Sequence, residues 1–239
     1  MEVRYYRKPF DHWVIDNFIE PSLAYKLSDQ FLDYDSDLWY VYENPLEKKK
    51  TLRDWYRFPP ETYQYLHYLN SQEFIDKVRG FTGTDVLYAD IGLHGAGWHI
   101  HKRGDKLNVH LDYSIHPQLK LQRKYNIIIY MTPNWNPNWG GNLEFWSHDH
   151  STNKPKECGA VIENRFNRAV LFDTTQSSWH GFPDPLQCPQ GVCRKSIAMY
   201  YLTDPPSKVD PRERALYAPT KEQETDPQIL KLIEQRSHY

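Results

Sequence analysis

The chain has 239 residues, including 18 Tyr, 8 Trp and 10 Phe, and a formal net charge of −2. That length suits one domain of generous size, and so mild a charge gives no global field for nucleic acid or an anionic membrane surface. No apolar run is long enough to span a bilayer, the N-terminus lacks the apolar core of a signal peptide, and 3 Cys argue against a disulfide framework, so a reducing, cytoplasmic setting is expected.

Residues 10–18 alternate as a first strand, and Pro21 then opens a helix with Leu23, Leu27 and Phe31 on one face. Residues 35–58 read as irregular, with one short strand at Leu38 to Tyr42 and Lys48-Lys49-Lys50 in a solvated loop. Two helices follow at 60–69 and 71–79, the second capped by Asn70-Ser71, and Gly83 ends this part. From Asp85 the pattern changes to short strands separated by Gly, Pro and Asn, at 85–94, 97–101, 106–113, 124–132, 141–147, 158–164, 168–173 and 193–202. The expected fold is mainly β with helices (α+β), a double-stranded β-helix or jelly roll with N-terminal helices outside one sheet. The tail is charged and proline-containing, with a helix at 227–236; it reads as an ordered extension folded back on the domain, with a disordered tail as the alternative. The organisation expected is a single domain over 1–239, with helical support at 1–84, a jelly-roll core at 85–204 and an extension at 205–239.

Within that core, Asn108-Val109-His110-Leu111-Asp112-Tyr113 carries the chemistry. Val109 and Leu111 alternate with His110 and Asp112, which puts the imidazole and the carboxylate on one strand face. Trp179-His180-Gly181 adds a second imidazole, and Trp179 beside it points the other way, into the core. Two imidazoles and one carboxylate are the facial set that holds non-haem Fe(II) with positions left open. An H-x-D tripeptide arises by chance in a chain with 11 His, and a lone strand histidine is commonly structural; the order and phase of the whole set carry the reading. Arg194 opens the strand after His180 and offers a planar fork for the far carboxylate of an acid chelated to the metal. Ser196 and Tyr200 share its face, and Asn126 is placed to bond the acid or a ligating side chain. A surface salt bridge is the plainer alternative for Arg194. The Gly140-Gly141 pair permits a tight turn beside the site.

Five motifs in order give a resemblance to a known family: His110-Leu111-Asp112, the run Tyr125 to Trp135, the run Trp139 to Trp146, Ser178-Trp179-His180-Gly181 and Arg194-Lys195-Ser196. Over residues 88–204 the chain resembles the 2-oxoglutarate- and Fe(II)-dependent dioxygenases, in particular their prolyl 4-hydroxylase-like branch. The resemblance implies Fe(II) on His110, Asp112 and His180. It also implies 2-oxoglutarate as cosubstrate, its far carboxylate on Arg194 with Ser196 and Tyr130, and Asn126 nearby. O2 is the other cosubstrate, ascorbate a supporting reductant, and succinate and CO2 the coproducts. The implied reaction is hydroxylation of a C–H bond, with a prolyl residue of a peptide or protein as substrate and a small molecule as the other choice. One departure stands out: many relatives carry a tyrosine where this chain has His101, although Gly104 matches. His101 then reads as a pocket-wall residue, sharing its face with His99; a second metal there is the lesser alternative. Two rival functions are a non-catalytic jelly-roll module for peptides or sugars and a cupin-type metal isomerase or hydrolase. Oligomeric state and resident metal are left open.

Overall fold

Alternation of side chains along strands decides which residues of this chain meet helices and which meet the interior. The computed structural model describes residues 2–237. In chain order it holds β1 (Glu2–Tyr6), β2 (His12–Asp16), α1 (Pro21–Asp29), β3 (Tyr40–Asn44), β4 (Glu47–Leu52), α2 (Pro60–Leu69) and α3 (Gln72–Thr82). Then come β5 (Tyr88–Ala89), β6 (Gly97–His101), β7 (Leu107–Leu111), β8 (Gln122–Tyr130), β9 (Leu143–Asp149) and β10 (Lys154–Ile162). The last are β11 (Ala169–Asp173), β12 (Trp179–Phe182), β13 (Arg194–Thr203), β14 (Leu216–Tyr217) and α4 (Pro227–Ser237).

The strands form two antiparallel layers. One runs β1-β2-β11-β8-β13-β6 and the other β7-β12-β9-β10; β4 joins them by pairing with β6 and meeting β7 at Glu47 and Leu107. This is the double-stranded β-helix expected from the sequence. Ile127 and Ile129 of β8, with Ile197 and Met199 of β13, face outward and pack against Leu27, Leu66, Leu69 and Val78 of the helices. The alternate residues Asn126, Ile128, Arg194, Ser196, Ala198 and Tyr200 face a cavity inside. A one-residue slip in either strand would exchange these sets, so burial of the outer face fixes the register of the inner one. Truncating a fully buried side chain of that outer core such as Leu66 to alanine would cost about 2–5 kcal/mol.

The helices start and stop for local reasons. Glu20 caps α1 by accepting from the Leu23 amide at 3.0 Å, with Pro21 at the first helical position. Ser71 caps α3 through the Phe74 amide at 3.3 Å, and Gly83 ends it at φ 72° in the left-handed region.

Four parts of the structure differ from the sequence reading. Residues 35–58 hold a hairpin, β3 on β4, rather than one short strand, and the Lys48-Lys49-Lys50 run lies within β4. Its inward residues face a polar cavity, so the apolar-polar alternation that would mark a strand is missing. His180 sits on a strand of its own, β12, four residues long and too short to show a period. The 85–94 stretch contracts to β5, because Asp90 to Ala96 turns back on itself through bonds from Leu93 N to Asp90 O and Ala96 N to Leu93 O. Finally, residues 1–84 contribute four strands to the layers besides the helices, since β1 to β4 all pair there. The tail folds back: β14 pairs with β7, and α4 follows over Pro227–Ser237. All three cysteines are free thiols, and no helix among the described residues is long and apolar enough to cross a membrane.

Candidate active site

A cavity of about 400 Å³ opens between the two layers, and the residues singled out in the sequence meet there, except for Tyr130. β12 lies beside β7 with His180 opposite His110, and the two imidazole centroids are 4.4 Å apart. Gly181 permits that approach: a Cβ on it would sit 2.8 Å from the carbonyl oxygens of Leu107 and Asn108. Asp112 follows the end of β7 on the same face. One donor atom from each of His110, Asp112 and His180 lies within 4.8 Å of the others.

The protonation pattern of this group suits a divalent metal. His110 Nδ1 lies 2.9 Å from the Asn108 carbonyl, and His180 Nδ1 lies 2.9 Å from the Ser178 carbonyl. A carbonyl oxygen only accepts, so each Nδ1 donates to it, and that bond turns each Nε2 towards the cavity. Those Nε2 atoms face Asp112, at 3.7 Å from Oδ1 for His110 and 3.9 Å from Oδ2 for His180. Burial, then the neighbouring His110, pushes His180 down to about 4, so it is neutral near pH 7. For Asp112 burial opposes ionisation, yet His110, His180 and Arg123 outweigh it and hold the carboxyl well below the usual range. Two imidazoles and one carboxylate therefore share one pocket, which is a ligand set that Fe(II) accepts.

Asp112 is held from behind. Tyr200 donates its hydroxyl to Oδ1 at 3.3 Å, and Asn126 donates Nδ2 to Oδ2 at 3.3 Å. Arg123 places Nη1 3.7 Å from Oδ1, with its guanidinium carbon 3.2 Å and 3.4 Å from the ring centroids of Tyr113 and Tyr200. Arg123 was not anticipated, and by simple alternation with Asn126 it would face the helices. A bulge at Lys124, between the Tyr201–Tyr125 and Leu202–Arg123 pairs, returns it to the cavity face.

Arg194 stands at the other side of the cavity with only 3% of its surface exposed. Nε donates to the Gly141 carbonyl at 2.9 Å, and the guanidinium lies over Phe182 at 4.6 Å and Tyr130 at 5.1 Å. Among the described residues no carboxylate lies within ion-pair distance of it. A buried cation without a counter-charge is costly, by several kcal/mol in general, and a carboxylate entering the cavity relieves that cost. Ser196 lines the same wall. Tyr130 does not line the cavity: it packs behind Arg194 with Phe145 and Val170, and among the described residues its buried hydroxyl has no hydrogen-bond partner. Unpartnered buried atoms also include Asn126 Oδ1 and both ring nitrogens of His101. His99 and His101 line the wall on β6, and burial holds both rings neutral, His99 down to about 3. Among the described residues, neither joins a group of metal-binding composition; His110, Asp112 and His180 form the one such group.

Residues from outside the core complete the cavity, and the sequence reading missed them. Lys49 and Arg53 come from β4 and the turn after it, Tyr217 from β14 and Arg236 from α4. Tyr217 pairs with His110 in register and stacks on its ring, at 5.2 Å and 23°. No local signal could have found these contacts, which join segments far apart in the chain.

Residues 96–202 match the model of the 2OG-Fe(II) oxygenase superfamily, a span that contains His110, Asp112, His180 and Arg194. Over 106 residues, 42% of this chain, there is 27% identity to the prolyl 3-hydroxylase OGFOD1 of Xenopus laevis, and the matched stretch spans 20% of that protein's length. A prolyl-4-hydroxylase of Pseudomonas putida superposes with a TM-score of 0.58 at 15% identity, covering 80% of this chain and 92% of that one. A prolyl hydroxylase of Trichoplax adhaerens, solved with a hypoxia inducible factor peptide fragment, gives 0.57 at 19% identity, covering 80% and 83%. HygX of Streptomyces hygroscopicus, solved with nickel, 2-oxoglutarate and hygromycin B, gives 0.53 at 13% identity, covering 80% and 82%. At such identities the three structures speak to the fold. Residues 96–202 are a 2OG-Fe(II) oxygenase domain, and the chain resembles the prolyl hydroxylases of that superfamily.

Proposed function

We propose that this chain is an oxygenase that hydroxylates a prolyl residue in a peptide or protein while converting 2-oxoglutarate and O2 to succinate and CO2. One observation carries the reading: a buried Arg194 without a carboxylate partner among the described residues faces the same cavity as the His110-Asp112-His180 group. His110 Nε2, Asp112 and His180 Nε2 hold Fe(II), and Arg194 binds the far carboxylate of 2-oxoglutarate through its terminal nitrogens. Ser196 donates a further hydrogen bond from the same strand face. Tyr130, packed behind Arg194 with its ring 5.1 Å from the guanidinium, supports that side chain from outside the cavity. Tyr200 and Asn126 orient Asp112 by donating to its two oxygens. When bound, Fe(II) with 2-oxoglutarate and O2 supplies the oxidising power that breaks the C–H bond. Phe182 and Tyr217 supply apolar surface to the cavity wall beside the reacting centre.

The fold likeness to a hydroxylase solved with a peptide fragment, and the stretch shared with a prolyl 3-hydroxylase, support the peptide reading. A binding module without turnover has no use for a metal-binding group and a buried arginine in one cavity. In this reading ascorbate keeps the metal reduced, and the three free thiols support a reducing compartment. The test is incubation with Fe(II), 2-oxoglutarate, ascorbate and a panel of proline-containing peptides, followed by fragment mass analysis. A gain of one oxygen on a prolyl ring is the expected result. Oxygen found only on a non-prolyl substrate, or on none, would overturn the prolyl assignment.

A further inference from the structure

The cavity is far more cationic than the chain. Its lining holds Lys49, Arg53, Arg123, Arg194 and Arg236, against two carboxylates, Glu47 and Asp112. The whole chain, by contrast, has a net charge of −2. Adding a divalent metal and the dianion of 2-oxoglutarate changes the balance by nothing, so the loaded cavity keeps its positive excess. Arg123 faces Asp112, and Arg194 answers the oxo acid. The excess is therefore on the wall built by β4 and the tail.

The chain geometry of that wall is specific. Glu47, Lys49 and Thr51 alternate inward along β4, while Lys48 and Lys50 point away from the cavity. Glu47 is 1% exposed and bonds both Lys49, at 3.0 Å, and Arg236, at 2.6 Å. One carboxylate shared by two cations leaves a positive charge over. Arg53 adds another, since among the described residues its side-chain polar contact is His94 Nδ1 at 3.3 Å. Lys49 Nζ is inside the cavity, with its side chain 15% exposed, and its charge is felt by His99, His101 and His180. In a cleft with low-dielectric walls such a charge excess attracts anions strongly. Lys49, Arg53 and Arg236 lie outside the matched span 96–202.

From this wall we infer that Lys49 and Arg53, on the β4 side of the cavity, form a subsite for a carboxylate of the substrate. The inference rests on the oxygenase reading for the place of the reacting atom. The carboxylate has two sources: an acidic side chain beside the target prolyl residue of a peptide, or the α-carboxylate of a free prolyl compound. Glu47 holds Lys49 Nζ at 3.0 Å, and the Nζ protons that Glu47 does not take are left for the ligand.

The test is equilibrium binding to protein loaded anaerobically with Fe(II) and 2-oxoglutarate, so that it does not depend on turnover. The probes are acetyl-Gly-Glu-Pro-Gly-amide, the same peptide with Gln in place of Glu, N-acetylproline and N-acetylproline amide. At least one carboxylate probe should bind about tenfold tighter than its neutral partner, the size expected of a charge-assisted hydrogen bond at a partly solvated site. Preference for the Glu peptide assigns an acidic peptide; preference for N-acetylproline assigns a free carboxylate. The preference should shrink to under about threefold in Lys49→Met and fall in Arg53→Gln. Lys48→Met, on the outer face of the same strand, should keep it. Arg53 is exposed, so Arg53→Gln stays informative if Lys49→Met does not fold. Equal affinity for charged and neutral probes, no binding of either carboxylate probe, or a preference that survives both cavity substitutions would overturn the subsite. Succinate release without any probe is measured beside it, so a failed oxygenase reading shows as loss of that release and a failed subsite as loss of selectivity alone.

Discussion

Arg194 donates its Nε proton to the carbonyl of Gly141 at 2.9 Å, and this bond aims the guanidinium from β13 across to the β7-β12 side of the cavity. Gly141 has φ 74°, and a Cβ there would lie 2.7 Å from Leu186 Cδ2 and 2.9 Å from Arg194 Cδ. Gly141→Ala is expected to lower stability by about 1–3 kcal/mol through strain and overpacking. It should also weaken 2-oxoglutarate binding, because the arginine must move. Urea unfolding and calorimetric titration with 2-oxoglutarate check both. Wild-type affinity in this variant would mean that Gly141 does not set the arginine.

Arg194→Lys keeps the charge and loses the fork. With one nitrogen, lysine cannot bond Gly141 and present two parallel donors to a carboxylate. Affinity for 2-oxoglutarate should fall by about 10–100-fold, the loss expected for one or two charge-assisted hydrogen bonds. Fe(II) affinity measured without 2-oxoglutarate should change little. A parallel loss of metal binding would instead place Arg194 in the metal's own surroundings.

Acid should destabilise the metal-free protein over a defined window. Burial, then Arg123, pushes His94 down to about 4, and burial, then Lys49, pushes His99 down to about 3, from an ordinary 6.5. The unfolded chain therefore takes up protons at these rings before the folded chain does. Their contribution to stability is complete above pH 6.5 and is lost as pH falls towards 4 and then 3. For Glu47, burial is outweighed by Lys49 and Arg236, which hold it at about 2, so it adds a loss of the same sign between pH 4.5 and 2. Urea midpoints measured from about pH 7.5 down to about 4 should fall steadily, in line with this linkage. A flat profile would contradict the neutral, buried state assigned to these histidines.

Much of the site is legible in the sequence because its main residues lie on strands whose other face is apolar. Val109 and Leu111 mark the phase of β7, and Ile197 and Met199 mark that of β13, so the inward direction of His110, Arg194 and Ser196 follows. The same logic fails on β4, where inward Glu47 and Lys49 and outward Lys48 and Lys50 are all polar. It fails at Arg123 because a bulge shifts the phase. It fails for Tyr130, which keeps its strand phase yet packs behind Arg194 rather than in the cavity wall. Tyr217 and Arg236 were beyond reach for another reason: only the folded chain brings the tail against β7 and β4.

Tyr217 gives a further prediction. Its ring is 5% exposed and stacks on His110, so Tyr217→Ala removes one wall of the imidazole and opens a cavity. Stability should fall by on the order of 3 kcal/mol. The rise in melting temperature on adding Fe(II) or Mn(II) should shrink as His110 becomes free to turn. An unchanged metal-induced rise would show that the Asn108 carbonyl alone, at 2.9 Å from Nδ1, fixes the ring.

If the His110-Asp112-His180 group and Arg194 work together as one oxygenase centre, loss of the carboxylate must abolish turnover and loosen the metal at once. The most direct measurement is succinate release from 2-oxoglutarate by the full chain with Fe(II) and ascorbate, wild type beside Asp112→Ala, with bound iron assayed in both. The wild type should release succinate, and the variant should show background levels together with weakened iron retention. Equal release by the two proteins, or none from an iron-loaded wild type, would contradict it.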